Sequence, residues 1–217
     1  PFIITFNSTP FTASSLNGKI DFQSGNYPYG LAIKDLDGDG KADIVCVNSG
    51  GNNVSFLKNN SQLGVPVFTL ATQKAVNNYS NGLAVDDLDG DGKPDAVVAN
   101  FGNNTISIFK NTSANNQINF DNAVTFNTGQ SPYAIAIADF NGDGKPDLAV
   151  TNEYSYPSYI SIYTNSTPPN GPISFLAERD FPSLTNSRGI SATDVNLDGK
   201  ADLIVASQDG FVSVFKN

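Results

Sequence analysis

One pattern is written into this chain four times: Asp35-Leu36-Asp37-Gly38-Asp39-Gly40-Lys41-Ala42-Asp43, with counterparts beginning at Asp87, Asp139 and Asp194. The first aspartates of successive copies are 52, 52 and 55 residues apart. Self-similarity at a fixed period of about 50 residues restricts a chain to stacked small units, each too small to bury an apolar face without its neighbours.

The units read as β-structure. Residues 30 to 36 alternate in polarity as they enter the Asp loop (strand A), and residues 43 to 48 leave it as a short apolar run (strand B). Gly50-Gly51-Asn52-Asn53 supplies hairpin-turn chemistry before a third strand over 54–58 (C), and a fourth (D) is expected around 68–76. The turn recurs as Gly102-Asn103-Asn104 and as Asp209-Gly210, and no segment carries a helical period. The expected fold class is all-β: a β-propeller built of four-stranded antiparallel blades. Repeats one to four occupy 30–81, 82–133, 134–188 and 189–217, the last with strands A to C only. Residues 1–29 read as a partial blade, strands C and D, with a linker. Residues 2–10 resemble residues 160–168 of a strand C, so the chain opens within a blade. A closed ring of four blades would leave that strand surplus. A segment of a larger propeller is therefore expected, ahead of a closed four-blade ring or an oligomer; an open array would leave bare strand edges.

The loop itself is a cation site in its donor set. Carboxylates at positions 1, 3, 5 and 9, with a main-chain carbonyl at position 7, offer the six to eight oxygens that Ca²⁺ requires. The candidates are Asp35, Asp37, Asp39, Lys41 (carbonyl) and Asp43, then Asp87, Asp89, Asp91, Lys93 and Asp95. The third loop offers Asp139, Asn141, Asp143, Lys145 and Asp147, and the fourth Asp194, Asn196, Asp198, Lys200 and Asp202. About four calcium ions, one per loop, are expected, with the Asn-bearing loops weaker. Mg²⁺ suits a crowded all-protein cage less well. An EF-hand needs Glu at position 12 and flanking helices, whereas that position holds Cys46, Val98, Val150 and Val205 inside strands. Fourteen of the 21 acidic residues sit in these loops, and four divalent ions would carry the net charge from −9 to about −1. Without cations the loops repel themselves.

Composition closes other routes. There is no His or Met, so the usual transition-metal ligands and the commonest general base are missing. One cysteine allows no internal disulfide, and Cys46 aligns with valines as a small buried apolar residue. Twelve scattered basic residues argue against nucleic acid. No apolar run approaches 18 residues, so no membrane insertion is expected, and the opening residues lack the basic region of a signal peptide. Outside the loops only Asp21, Asp86, Asp121, Glu153, Glu178, Asp180 and Asp209 are acidic, with no repeated pair for acid–base work. An enzyme is not expected.

The loops and the approach Gly25, Pro28, Tyr29, Gly30, Ala32 resemble FG-GAP/VCBS repeats, the blade type of integrin α-subunit propellers. The resemblance spans nearly the whole chain. It implies a calcium that staples each blade at the A–B loop and ligands met on the opposite face. The second and fourth repeats carry Ser80-Asn81 and Ser187-Arg188 in place of Pro-Tyr.

That opposite face is rich in tyrosine. Tyr27, Tyr29, Tyr79, Tyr133, Tyr154, Tyr156 and Tyr159 are assigned to D–A or B–C loops, and Tyr163 alone to a strand. Tyrosine offers stacking area and a hydroxyl at low entropic cost; Tyr29 and Tyr133 could equally plug blade junctions. The predicted ligand surface is the arc Tyr29, Asn81, Tyr133 and Arg188 with Tyr154, Tyr156 and Tyr159. The expected function is a secreted or cell-surface calcium-binding module that adheres to a protein or glycan ligand. A structural subunit of a surface assembly, and the non-catalytic propeller of a polysaccharide-degrading enzyme, are the alternatives. Seven Asn-x-Ser/Thr sequons, at Asn7, Asn53, Asn59, Asn78, Asn103, Asn111 and Asn165, leave glycosylation open.

Overall fold

The computed structural model describes residues 18–154, 157–169 and 171–217. The expected opening strand at residues 2–10 lies outside them. Four antiparallel sheets follow one another along the chain, each in simple sequential order. The first holds β1 (Pro28–Lys34), β2 (Asp43–Asn48), β3 (Asn53–Asn59) and β4 (Phe68–Ala75). The second holds β5 (Ser80–Asp86), β6 (Asp95–Asn100), β7 (Thr105–Phe109) and β8 (Val124–Asn127). The third holds β9 (Pro132–Ala138), β10 (Asp147–Asn152), β11 (Tyr159–Tyr163) and β12 (Arg179–Pro182). The fourth has three strands: β13 (Ser187–Thr193), β14 (Asp202–Ser207) and β15 (Val212–Phe215). The fold is all-β and built of propeller blades; among the described residues the ring does not close.

The first strand of each blade begins earlier than its alternation indicates. A bulge between Pro28 and Gly30 lets the ladder resume at Pro28↔Asn48, and the third and fourth blades repeat this at Pro132↔Asn152 and Ser187↔Ser207. Tyr29 and Tyr133 therefore lie in strands, not in the loops assigned to them, and Tyr159 opens β11.

The core lies between blades. The second strand of a blade is apolar on both sides because both sides meet a neighbour. Ala96 and Val98 of β6 face Val45, Val47, Val54 and Phe56 of the first blade. Val97 and Ala99 face Leu148 and Val150 of the third. Ala149 and Ile160 then meet Leu203 and Val205 of the fourth. Each fully buried Val, Leu, Ile or Phe among them contributes about 1.5–3 kcal/mol. The innermost strands approach so closely that a Cβ at Gly30 would lie 2.6 Å from the Asn81 carbonyl, and one at Gly82 2.5 Å from that of Tyr133. Only glycine fits there.

Polar groups repeat just as regularly. Asn48, Asn100 and Asn152 close their strands and donate to Ser55, Ser107 and Ser161 on the next strand, at 2.8, 2.8 and 2.9 Å. Asn111, Asn165 and Asn217 reach across to the preceding blade, where their Nδ2 groups donate to the carbonyls of Leu36, Leu88 and Phe140 at 2.9, 2.8 and 2.8 Å. The first three Asp loops are thus each held by the blade that follows.

Candidate functional site

Every Asp loop folds by the same internal bonds. Asp35 accepts from the Gly38 and Gly40 amides at 2.9 and 2.8 Å, which turns the chain back on itself. Both glycines have φ near +80° (78° and 83°), the left-handed region. In the fourth loop that first turn residue is Leu197, exposed and at φ 64°, a strained choice for a side chain with a Cβ. Asp43 is fully buried, and its two oxygens accept from Leu36 N at 2.9 Å and Asn59 N at 2.7 Å. Asp95, Asp147 and Asp202 repeat that arrangement.

The geometry fits a divalent cation. Oxygens of Asp35, Asp37 and Asp39 lie within 4.8 Å of one another, as do those of Asp87, Asp89 and Asp95. Two ligands each 2.3–2.6 Å from a calcium stand no more than about 5 Å apart. Burial pushes the carboxyls of Asp43 and Asp147 above the ordinary range despite their amide donors. Burial takes Asp95 to about 7, with Asp89 and Asp91 adding repulsion. Such carboxylates are short of positive charge.

Part of that charge comes from a source missed at the level of sequence. Lys58, near the end of β3, sets its ammonium on Asp37 and, at 3.1 Å, on Asp39. Lys110 does the same for Asp89 and, at 3.5 Å, Asp91, and Lys216 approaches Asp198 at 3.6 Å. Burial alone would raise Asp39, yet Lys58 holds it below its usual value. At the equivalent place in the third blade stands Thr164, and there Asn141 Nδ2 donates to Asp143 at 3.1 Å. The ammonium occupies the side of the loop that a bound cation would neutralise, so a cation binding there would have to displace it. Lys110→Met is therefore expected to raise the Ca²⁺ affinity of the second loop about tenfold, since a charged hydrogen bond is worth about 1.5–3 kcal/mol. Calcium titration calorimetry on the two proteins checks this; unchanged affinity would show that the ammonium does not compete.

On the opposite rim, three of the predicted arc residues meet. The Tyr29 and Tyr133 hydroxyls hydrogen-bond across the width of the second blade, with ring centroids 6.2 Å apart and nearly perpendicular. The Arg188 guanidinium lies 5.0 Å from the centre of the Tyr133 ring. Burial and the Tyr29 hydroxyl push Tyr133 up to about 12. Arg188 Nε donates to Glu153 Oε1 at 2.7 Å, and Nη2 binds the same oxygen. Glu153 is 2% exposed, and its other oxygen has no hydrogen-bond partner. Phe101 stands edge-on to both Tyr133 and Tyr154, with centroids at 6.1 and 5.8 Å. Asn81 sits beside Ser49, whose hydroxyl donates to it at 3.5 Å. Tyr159 instead lies against Gly129, and Tyr156 lies outside the described residues. Glu153 was read only as one of seven leftover acids, and Phe101 was not singled out; no spacing rule marks either. Tyr163, assigned to a strand, is buried there, its hydroxyl donating to Asn127 O and Glu178 at 2.6 Å each.

Fold and loops together define a β-propeller module whose blades carry Asp-rich turns. Residues 35–98, 87–150 and 139–205 match the FG-GAP-like repeat, each match running from one Asp loop through the next. The chain belongs to the FG-GAP-like repeat family. Cartilage acidic protein 1 of Xenopus tropicalis is 25% identical over 197 residues, covering 86% of this chain. The chain spans 30% of that relative's length. The crystal structure of BBS1N in complex with ARL6DN, soaked with mercury, contains a chain similar in fold: TM-score 0.54 at 15% identity, covering 89% of this chain and 59% of the other. Among the described residues no helix is long and apolar enough to cross a membrane.

Proposed function

We propose that this chain is a non-catalytic, calcium-stapled propeller module that works outside the cell and binds a protein partner through its tyrosine-bearing rim. The observation that carries the reading is the rim network, in which equivalent positions of three blades, Tyr29, Tyr133 and Arg188, converge on one surface with Glu153 beneath. Aromatic and guanidinium groups presented together are the usual anchors of protein recognition. Two further points support it: BBS1N forms a complex with ARL6DN, and the relative is a cartilage acidic protein. A glycan is the second ligand class, favoured only by the stacking area of the exposed Tyr29 and Tyr154. Calcium is supported by the converging carboxylates, which repeats of this family commonly use for that ion. The non-catalytic reading rests on the carboxyls outside the loops. Glu153 is tied to Arg188, Glu178 to Tyr163, Asp86 to Lys34 and Asp209 to Thr185 and Asn186.

The test separates rim from loops. Immobilised wild type, Arg188→Ala and Tyr29→Ala are compared for capture from extracellular-matrix extract and on a glycan array, with calcium content and melting temperature as controls. A protein retained by wild type should be retained at least about tenfold less by both variants, with calcium content close to wild type; Tyr29→Ala should also melt close to wild type, whereas Arg188→Ala, which strands the buried Glu153 carboxylate, should melt several degrees lower. A captured protein indifferent to both substitutions, or a footprint on the Asp loops, would place the binding surface elsewhere.

A further inference from the structure

The residue just before the first strand of every blade has a left-handed backbone, with φ of 53° at Tyr27, 53° at Tyr79, 54° at Ser131 and 51° at Asn186. The fold imposes it. The carbonyls of Tyr27, Ser131 and Asn186 accept from the amides of Ser49, Glu153 and Gln208, which open the facing B–C turn, at 2.9, 3.0 and 3.2 Å. Asparagine suits that conformation, and a bulky aromatic side chain does not. Burial does not explain the tyrosines either. Tyr27 is 81% exposed, and Tyr79 is 67% exposed although blades pack on both sides of its own.

The facing turn is matched to that residue. Its second position is Gly50 in the first blade and Gly102 in the second, where a Cβ would lie 2.3 Å from Tyr27 Cδ2 and 3.4 Å from Tyr79 Cδ2. In the third blade the two sides exchange roles: the small residue is Ser131, and the turn supplies Tyr154, 55% exposed. Each of these blades thus presents one outward tyrosine where its D–A and B–C loops meet, from whichever loop carries it. In the fourth blade the pair is Asn186 and Asp209, hydrogen-bonded to each other at 3.1 Å, and the row of tyrosines stops. The inner arc has its polar groups engaged internally, Tyr29 with Tyr133, Arg188 with Glu153 and Asn81 with Ser49. Among the described residues, no hydrogen bond engages the Tyr27 or Tyr79 hydroxyl. The loops around these two tyrosines, residues 24–27, 49–53, 77–80 and 101–104, hold only Ser, Gly, Asn, Tyr and Phe, in a chain that is 15% charged.

We infer that Tyr27, Tyr79 and Tyr154 are the contact anchors of the rim, a second row beside the Tyr29, Tyr133 and Arg188 network, and that the surface they form fits an uncharged epitope of a folded protein. The inference rests on the reading of the rim as the binding face and names the residues that touch the partner. Tyrosine set among serine, glycine and asparagine on loops of a rigid β-scaffold joins a stiff amphipathic contact to adaptable hydrogen bonding, the composition of protein-binding loops. Depletion of charge marks the centre of protein interfaces. The imposed backbone also fixes the direction in which Tyr27 and Tyr79 leave the main chain, so less freedom is lost on binding.

The probe is the protein that the wild-type chain retains from extracellular-matrix extract, purified before use. The chain is nitrated with tetranitromethane, alone and in complex with that protein, and each tyrosine is read by peptide mass spectrometry. Tyr27, Tyr79 and Tyr154 should be nitrated in the free chain and at least about tenfold less in the complex, while the buried Tyr163 stays unmodified in both. The double variant Tyr27→Asn, Tyr79→Asn should bind the same protein at least about tenfold more weakly. Its melting temperature should hold or rise, because asparagine accepts the left-handed backbone; a merely structural role for the tyrosines would lower it. Wild-type affinity should change less than about twofold between about 0.1 and 0.5 M NaCl, since no charge pair is involved. Full nitration in the complex, undiminished binding by the double variant, a melt several degrees lower, or retention of a glycan and no protein would each overturn the inference. If Arg188→Ala and Tyr29→Ala alone lose the protein, the rim reading survives without these anchors; if no variant has an effect, or no protein is retained, both fall.

Discussion

Excess EGTA should lower the melting temperature of this protein by roughly 20 °C or more. An ion that binds only the folded loop stabilises by RT ln(1 + [L]/Kd), about 2.7 kcal/mol at a hundredfold excess over Kd. For chains of this size each kcal/mol moves the midpoint by about 2–4 °C, so three or four occupied loops suffice. The ammonium groups of Lys58 and Lys110 cushion the loss without replacing it, since each brings one charge to a loop of four carboxylates. The effect should also grow with pH. Asp95 is raised by burial from 3.8 to about 7; a carboxyl whose folded pKa is raised contributes stability that is fully present below the unfolded value and lost as pH rises through the folded one. At pH 5.5 the calcium-free second loop keeps its proton; at pH 8 it holds an extra buried charge that only a cation can neutralise. The gap between calcium-loaded and EGTA-treated melts should therefore be wider at pH 8. Scanning calorimetry at both pH values checks this, and equal melts with and without chelator would remove the calcium reading altogether.

Asn111→Ala should cost about 3–5 kcal/mol, which corresponds to a fall of about 10 °C in the melting temperature. Asn111 is fully buried. Its Nδ2 donates to Leu36 O at 2.9 Å and Pro94 O at 3.0 Å, and its Oδ1 accepts from Ser113 N at 2.9 Å. Truncation strands two buried carbonyls and one amide, each penalised by about 1–3 kcal/mol. Asn59 occupies the same place in the first blade, but it is half-buried and its Nδ2 donates to Ala42 O alone. Asn59→Ala should cost only about 1 kcal/mol. Thermal melts of the two variants read the contrast; equal losses would mean that the cross-blade bond to Leu36 carries nothing. The same burial explains two of the sequons. Asn111-Thr112-Ser113 and Asn165-Ser166-Thr167 recur because the asparagine oxygen caps the amide two residues on, at 2.9 Å in both. Neither nitrogen is open to a glycan in the folded chain.

Much of this molecule was legible without coordinates because repetition averages out local ambiguity. The second strand of each blade and the Asp loop before it follow from pattern alone, since a strand covered on both sides must be apolar throughout and a turn of alternating Asp and Gly has few conformations. The rim arc could be named from the repeat period, because equivalent residues of successive blades fall side by side. What the repeat could not convey was which departures from it matter. Glu153, Lys58, Lys110 and Thr164 are single residues whose roles depend on what faces them from another strand or blade. A bulge between Pro28 and Gly30 likewise leaves no mark in hydrophobic alternation, so Tyr29 and Tyr133 were placed in loops.

The sequence by itself determined the unit: a four-stranded blade, its metal-type loop and the order of its strands, all fixed by interactions within about 50 residues. The tertiary structure alone decided how units join, because that depends on contacts between residues of different blades, 35 to 104 positions apart. It set Asn111 against Leu36, Tyr29 against Tyr133 and Arg188 against Glu153 from the neighbouring blade. Side-chain period records which face of a strand is buried, but not what buries it.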